Sequence, residues 1–390
     1  MTDKKPFSDL RVLDFTAGVA GPHATQIMSQ NGADVIKIEP LHGDWVRALG
    51  KSYGDVSAHS IAFNRGKQSL AIDMKAPEGR AIVQKLAEGA DIVAESFRPG
   101  VMARFGLSHA DLAAKKPELI YLSVSGFGQD GPYNDRPVTD AVIQAFSGWM
   151  VMNKNGEGVP QRSGMVAMDV LTGLYAYNAV ASAVIERFRY GTGKWIECSL
   201  MQAAAAFQIA KVIEYHLQDG QVGNLYAPVG AFGTVDGQIS ITTMRDDHFT
   251  ALCRVLELDA LPGDTRFATV ETRLANEPAL KEILAAAFKT RTSQEWAEKL
   301  TAAEVMNSIV NSYGDFLNNP HVQAVGAVKW LDQPGLGSVP VVQSPGIANT
   351  DVSSPHIGQD SRAVLRAAGY GDSDVASLIQ RGIVGVPEPT

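Results

Sequence analysis

Short apolar runs separated by helical stretches dominate the first third of the chain. Residues 10–15 (LRVLDF), 34–39 (DVIKIE), 69–74 (SLAIDM), 90–95 (ADIVAE) and 119–124 (LIYLSV) have the length and composition of buried strands. Between them lie residues 22–32, opened by Pro22 and closed by Gly32, residues 77–88, opened by Pro77, and two short helical pieces, one ending at Phe105 and one spanning His109–Lys115. Strands alternating with helices predict a parallel sheet covered on both faces, hence a large doubly wound, Rossmann-like α/β domain. Ligands of such sheets bind beyond the carboxyl ends of the strands. That edge gathers residues 16–21, 39–47, 95–98 and 125–131, with Lys75.

The period then lengthens. From Val170 to Phe188 apolar side chains recur at helical spacing (Leu174, Tyr177, Ala181, Val184, Phe188), and Gly191 and Gly193 stop the helix. Asp169 therefore stands at or just before a helix N-terminus, where free N–H groups and the positive dipole end favour an ionised carboxyl. An N-cap is one account of it. A carboxylate nucleophile that attacks an acyl carbon is the other. A strand at Lys194–Leu200 and a helix at Met201–Leu217 complete a first part, residues 1–217. Residues 218–230 (QDGQVGNLYAPVG) read as a linker, 231–315 as a small α+β domain, and 316–390 as a return linker with C-terminal helices that pack on the large domain.

Composition narrows the function. A net charge of −8 gives no overall basic field to collect nucleic-acid phosphates. The two cysteines, Cys198 and Cys253, make no metal spacing and read as free thiols of a reducing compartment. MTDKKPFSDL has no apolar core of a secretory signal, and the longest apolar stretch, 170–185, falls short of the ~20 residues of a bilayer span. A cytoplasmic protein with no membrane or nucleic-acid partner is the expectation. Within this acidic chain Lys37, Arg47, Lys51, Arg65, Lys67, Lys75, Arg98 and Arg104 recur near the strand ends. Each is either a solvated surface charge or part of a cradle for several phosphates. The β-α-β start alone would also fit an NAD(P)-dependent oxidoreductase, but the glycines at Gly18 and Gly21 lack the G-x-G-x-x-G spacing.

Eight stretches, in order, resemble motifs of the family III CoA-transferases, the group that includes formyl-CoA transferase and the 2-methylacyl-CoA racemases. They are LRVLDFTAGVAGP, GADVIKIEP with GDWVR, NRGKQSLAID, ESFRPGVMARFGL, SVSGFGQDGPY, MDVLTGLYA, GTGKWIECSL and SPHIGQDSRAVLRAAGY. The resemblance implies an acyl-CoA:carboxylate CoA-transferase in which Asp169 forms first a mixed anhydride and then an aspartyl-CoA thioester. It also implies an interlocked homodimer, with acyl-CoA and a small carboxylic acid as substrates, no permanently bound cofactor and no metal. CoA contacts would fall on Val19, Ala20, Leu70, Lys75, Ser96, Phe97, Arg98 and Arg104. Asp140, Thr139, Arg47, Gly230 and Gly233 would lie near the thioester. Two departures bear on substrate. The histidine that racemases place before the aspartate is Thr139 here, which tells against the alternative of a 2-methylacyl-CoA racemase. The run of adjacent glycines of formyl-CoA transferase is reduced to PVGAFG (228–233), which points to a larger acid such as the dicarboxylate succinate.

Overall fold

Five parallel strands form where the apolar runs predict them, give or take two residues. In the computed structural model, which describes residues 4–347 and 351–387, they are β1 (Arg11–Phe15), β2 (Asp34–Glu39), β3 (Gln68–Ile72), β4 (Ile92–Glu95) and β5 (Ile120–Ser125). A sixth, β6 (Lys194–Ser199), pairs parallel to β5, and β7 (Val384–Gly385) closes the other edge antiparallel to β3. The order is β7-β3-β2-β1-β4-β5-β6. Its direction reverses between β1 and β4, as in doubly wound sheets, and a crevice opens at such a reversal beyond the carboxyl ends.

Alternation along each strand divides the core between the two faces. Val12, Ile92, Ile120 and Leu122 pack on one side with α1 (Ala20–Gln30) and with the long helix that carries Asp169. Leu13, Ile36, Leu70 and Val93 face the other side, under α3 (Pro77–Glu88) and the C-terminal helices Ser361–Ala367 and Asp372–Gln380. Between β2 and β3 a single turn of helix at Trp45–Ala48, a small hairpin and α2 (Ala58–Asn64, capped by Ser57) border the carboxyl edge. Helices α4 (Asp140–Phe146) and α5 (Ala167–Tyr190), with a single turn at Trp149–Met152 between them, follow β5 and precede β6. By length and composition α5 could cross a membrane. One face of it, with Met168, Ala176, Val180 and Ala183, packs into the core against α1 and the sheet.

Two units are separable, residues 1–213 with 327–390, and residues 214–326. The second has its own three-stranded antiparallel sheet, with Gln238–Thr242 between Val229–Gly233 and Met306–Ile309. Helices Asp246–Val255, Glu277–Phe288 and Ser293–Ala302 supply its core through Phe249, Leu284, Phe288 and Trp296. The boundaries differ from those read off the sequence: the first break falls within residues 209–217, and the return to the large unit comes at residue 327 rather than 316. The helix expected at 201–217 is two, parting at Gln208, and the expected linker ends inside the strand Val229–Gly233. Residues 1–3, 348–350 and 388–390, which the expected domains include, lie outside the described residues.

Candidate active site

The turn after β1, residues 16–19, sits at the strand-order reversal and is gripped by buried charge. Asp14 accepts from the Thr16 N–H at 2.9 Å and from Thr25 Oγ1 at 2.7 Å, and it pairs with Lys67 Nζ at 2.9 Å. Burial alone would raise Asp14, but Lys67 and Lys37 outweigh it and hold the carboxyl at about 2. Lys37 donates to the Thr16 carbonyl and to Asp44 Oδ2, and Asp44 in turn accepts from Gly18 N–H. Gly18 has φ of +80°, and a Cβ there would strike the indole of Trp45, so glycine alone fits.

Beside this turn lies a cavity of about 250 Å³ that brings Val19, Ala20, Ser96, Thr139, Asp140 and Asp169 together with Trp45. Asp169 is the third residue of α5 and does not cap it. That task falls to Asp140, whose Oδ2 accepts from Met168 N–H at 2.6 Å and Asp169 N–H at 3.2 Å. Among the described residues no donor reaches the Asp169 carboxylate. Burial first, and the charge of Asp140 second, push it up to about 7. The helix end was expected to keep Asp169 ionised unaided. The outcome is reversed because burial and the Asp140 charge outweigh the helix end. A carboxylate stripped of hydrogen bonds and half-protonated near neutral pH is a strong nucleophile once ionised.

The other expected site residues separate. Lys75 and Phe97 line a second cavity of about 400 Å³, walled by Pro40, Ile72 and Phe105. Arg98 lines a third of about 330 Å³ beside Glu95, whose carboxyl burial raises. Arg104 is exposed at the end of Val101–Arg104 and borders neither. Two expectations are corrected. Leu70 is wholly within the core and has no surface to offer a nucleotide. Arg47 does not face the Asp169 cavity: its guanidinium is buried, bound to Glu39 at 2.7 and 2.8 Å and to the Pro355 carbonyl at 3.1 Å. Lys37, Arg47 and Lys67 are thus internal ion-pair partners rather than a phosphate cradle, whereas Lys75, Arg98 and Arg104 make no ion pair among the described residues. Gly230 and Gly233 lie on a strand of the second unit, Gly230 with φ of +131° and open space at its Cβ position. Trp45, 60% exposed on the cavity wall, was not singled out by the sequence, where a lone tryptophan in a loop has no periodic context.

The sequence model of CoA-transferase family III matches residues 7–361. The chain belongs to that family. This family III CoA-transferase is 32% identical over 394 residues to the succinate–glutarate CoA-transferase of Agrobacterium fabrum, with 94% of this chain and 97% of the relative covered. It is 35% identical over 329 residues to the acetyl-CoA:oxalate CoA-transferase of Acetobacter aceti, covering 82% and 85% of the two chains. Among solved structures it resembles a CaiB/BaiF family protein from Brucella suis, with TM-score 0.84, 31% identity, and 94% and 100% of the chains covered. The CoA-transferase has no histidine on the wall of its Asp169 cavity among the described residues. His23 donates from Nδ1 to the Val170 carbonyl at 3.2 Å, and burial lowers its pKa to about 4. His59 lines a separate apolar cavity of about 640 Å³.

Proposed function

We propose that this CoA-transferase carries the acyl group on Asp169 and delivers CoA to a dicarboxylic acid. The observation that carries the reading is the Asp169 carboxylate, part-buried on the cavity wall at the sheet's reversal, with no hydrogen-bond donor on it among the described residues and its pKa raised to about 7. An Asp169 oxygen attacks the thioester carbonyl and the CoA thiolate leaves, giving a mixed anhydride. The thiolate then attacks the aspartyl carbonyl, releasing the donor acid and leaving an aspartyl-CoA thioester. The acceptor carboxylate attacks that thioester, and the same two steps run in reverse to give the new acyl-CoA and free Asp169. No water or net proton is consumed, so the site must be dry, since water would hydrolyse the anhydride. The apolar slot of Phe97 and Phe105 beside Lys75 suits an adenine next to phosphate, with Arg98 and Arg104 as further cations. A dicarboxylate acceptor accords with the relatives named for succinate and glutarate.

The test is a panel of acids mixed with succinyl-CoA or acetyl-CoA in deuterated water and read by mass spectrometry. CoA should pass to dicarboxylates, and a 2-methylacyl-CoA should keep its α proton. Inversion with deuterium uptake and no exchange would assign the protein to the racemases.

The interlocked homodimer belongs to the same proposal. Leu174, Ile185 and Phe188 of α5, and Ile209, Val212 and Ile213 at helical spacing, are exposed large apolar side chains in the isolated chain. A second copy that covers them would not leave on dilution. Sedimentation at nanomolar protein should show a dimer, and a freely dissociating active monomer would rule the arrangement out.

A further inference from the structure

Gln144 lies one turn after Asp140 on α4 and is fully buried. Every hydrogen-bonding capacity of its amide is used. Oε1 accepts from the N–H of Ser163 at 2.8 Å and from its Oγ at 3.2 Å. Nε2 donates to the Met165 carbonyl at 3.2 Å and, through a short bond, to Asp140 Oδ1. The backbone donor at Ser163 fixes which side of the amide is oxygen, so the NH₂ must face Asp140. A chain of bonds therefore runs from the 163–165 segment through Gln144 and Asp140 to the first turn of α5, where Asp169 stands.

We propose that Gln144 is a positioning residue for Asp169: its amide holds the Asp140 carboxylate on the first turn of α5 and ties it to the segment that leads into that helix. The inference rests on the reading of Asp169 as acyl carrier. Without Gln144 the Asp140 charge has lost its anchor. Asp140 is then free to turn away from Asp169, which weakens its repulsion of the nucleophile.

The other titratable groups that face the start of α5 leave this coupling clear. From α1 there is His23, neutral near pH 7, and from α2 there is His59, across the apolar cavity that Ala167, Val170 and Leu171 line. From β6 there is Cys198, whose thiol burial pushes up to about 11. Glu197 alternates to the opposite face of β6, Lys194 pairs with Glu186 at the far end of α5, and Tyr121 of β5 packs in the other core.

The experiment titrates the Asp169 carboxyl carbon by NMR of protein with ¹³C-labelled aspartate, the signal being assigned by its loss in Asp169→Asn. The wild-type midpoint is expected at about 7. Gln144→Met should lower it by about one pH unit, and Asp140→Asn should lower it too. In the Asp140→Asn background, Gln144→Met should add no further shift. Gln144→Met should also reduce kcat by about tenfold with KM for the acyl-CoA little changed, since it misplaces the nucleophile and not the nucleotide. If Gln144→Met folds poorly, Gln144→Glu serves. It keeps the link to Asp140 while the introduced carboxyl is protonated, so activity near wild type at pH 6 should collapse by pH 9. An unmoved midpoint in Gln144→Met, a shift that persists with Asp140→Asn, or a Gln144→Glu activity ratio equal at both pH values overturns the proposal. Should the midpoints move as stated while Asp169→Ala stays active, it is the acyl-carrier reading that fails.

Discussion

Replacing Asp169 by alanine is expected to lower kcat for CoA transfer by at least about 10⁴-fold, the scale on which loss of a covalent nucleophile acts. CoA affinity should persist, because the Lys75–Phe97 slot and the exposed Arg98 and Arg104 are untouched. The reverse pattern is expected of Lys75→Ala and Arg104→Ala, each weakening CoA by about 1–3 kcal/mol as measured by calorimetry, and more at low salt than at high. Hydroxylamine added during turnover should trap a hydroxamate on the Asp169 peptide. An alanine variant with near wild-type kcat would end the mechanism.

The same residue links activity to pH and to stability. Its carboxyl titrates at about 7 in the folded chain against an ordinary value of 3.8, so the native state binds the proton more tightly than the unfolded state. In the proposed mechanism only the ionised form attacks, so kcat/KM should rise with pH up to about 7 and then level. Stability moves the other way. The cost of the buried charge is absent below 3.8, grows as pH rises, and is complete above about 7. Asp169→Asn removes that cost, and urea melts should show the inactive variant more stable by about 1–4 kcal/mol at pH 8 and equal to wild type near pH 3. Equal stability at both pH values would mean that the carboxyl is not buried as described.

Lys67→Met should be the most damaging of the cation substitutions for folding. It leaves Asp14, wholly buried at 0% exposure, without the partner at 2.9 Å, and a broken buried pair costs about 3–5 kcal/mol. The turn at Thr16–Gly18 would loosen as well, since Asp14 holds its N–H. Changing Asp14 to leucine along with Lys67→Met should restore part of the loss, because no unpaired charge then remains. Urea midpoints decide it, and a single-variant cost below about 1 kcal/mol would place Lys67 among the solvated charges.

The strands and the long helix were legible because their cause is local. Short apolar runs and helical patterns, Pro22 and Pro77 at helix starts and Gly191 at a helix end act within a few residues of where they stand. The family motifs likewise named Asp169, set Asp140 and Thr139 near it and gave Val19, Ala20 and Ser96 to CoA, whereas the fold lines one cavity with all six. What the pattern could not carry was the fate of each charge. Lys37, Arg47 and Lys67 read as candidate phosphate ligands, and only folding brought Asp44, Glu39 and Asp14 to them, Lys67 reaching across 53 residues. Leu70 keeps its motif but turns wholly inward. Gln144 stood at helical spacing from Asp140, yet nothing local showed that its amide would also bind Ser163 and Met165. The ionisation of Asp169 is the sharpest case. Its own helix end favours the charged form, whereas burial and an aspartate from 29 residues away favour the neutral one. Sequence sets the propensity of the residue, and the fold sets the dielectric and the neighbours that outweigh it.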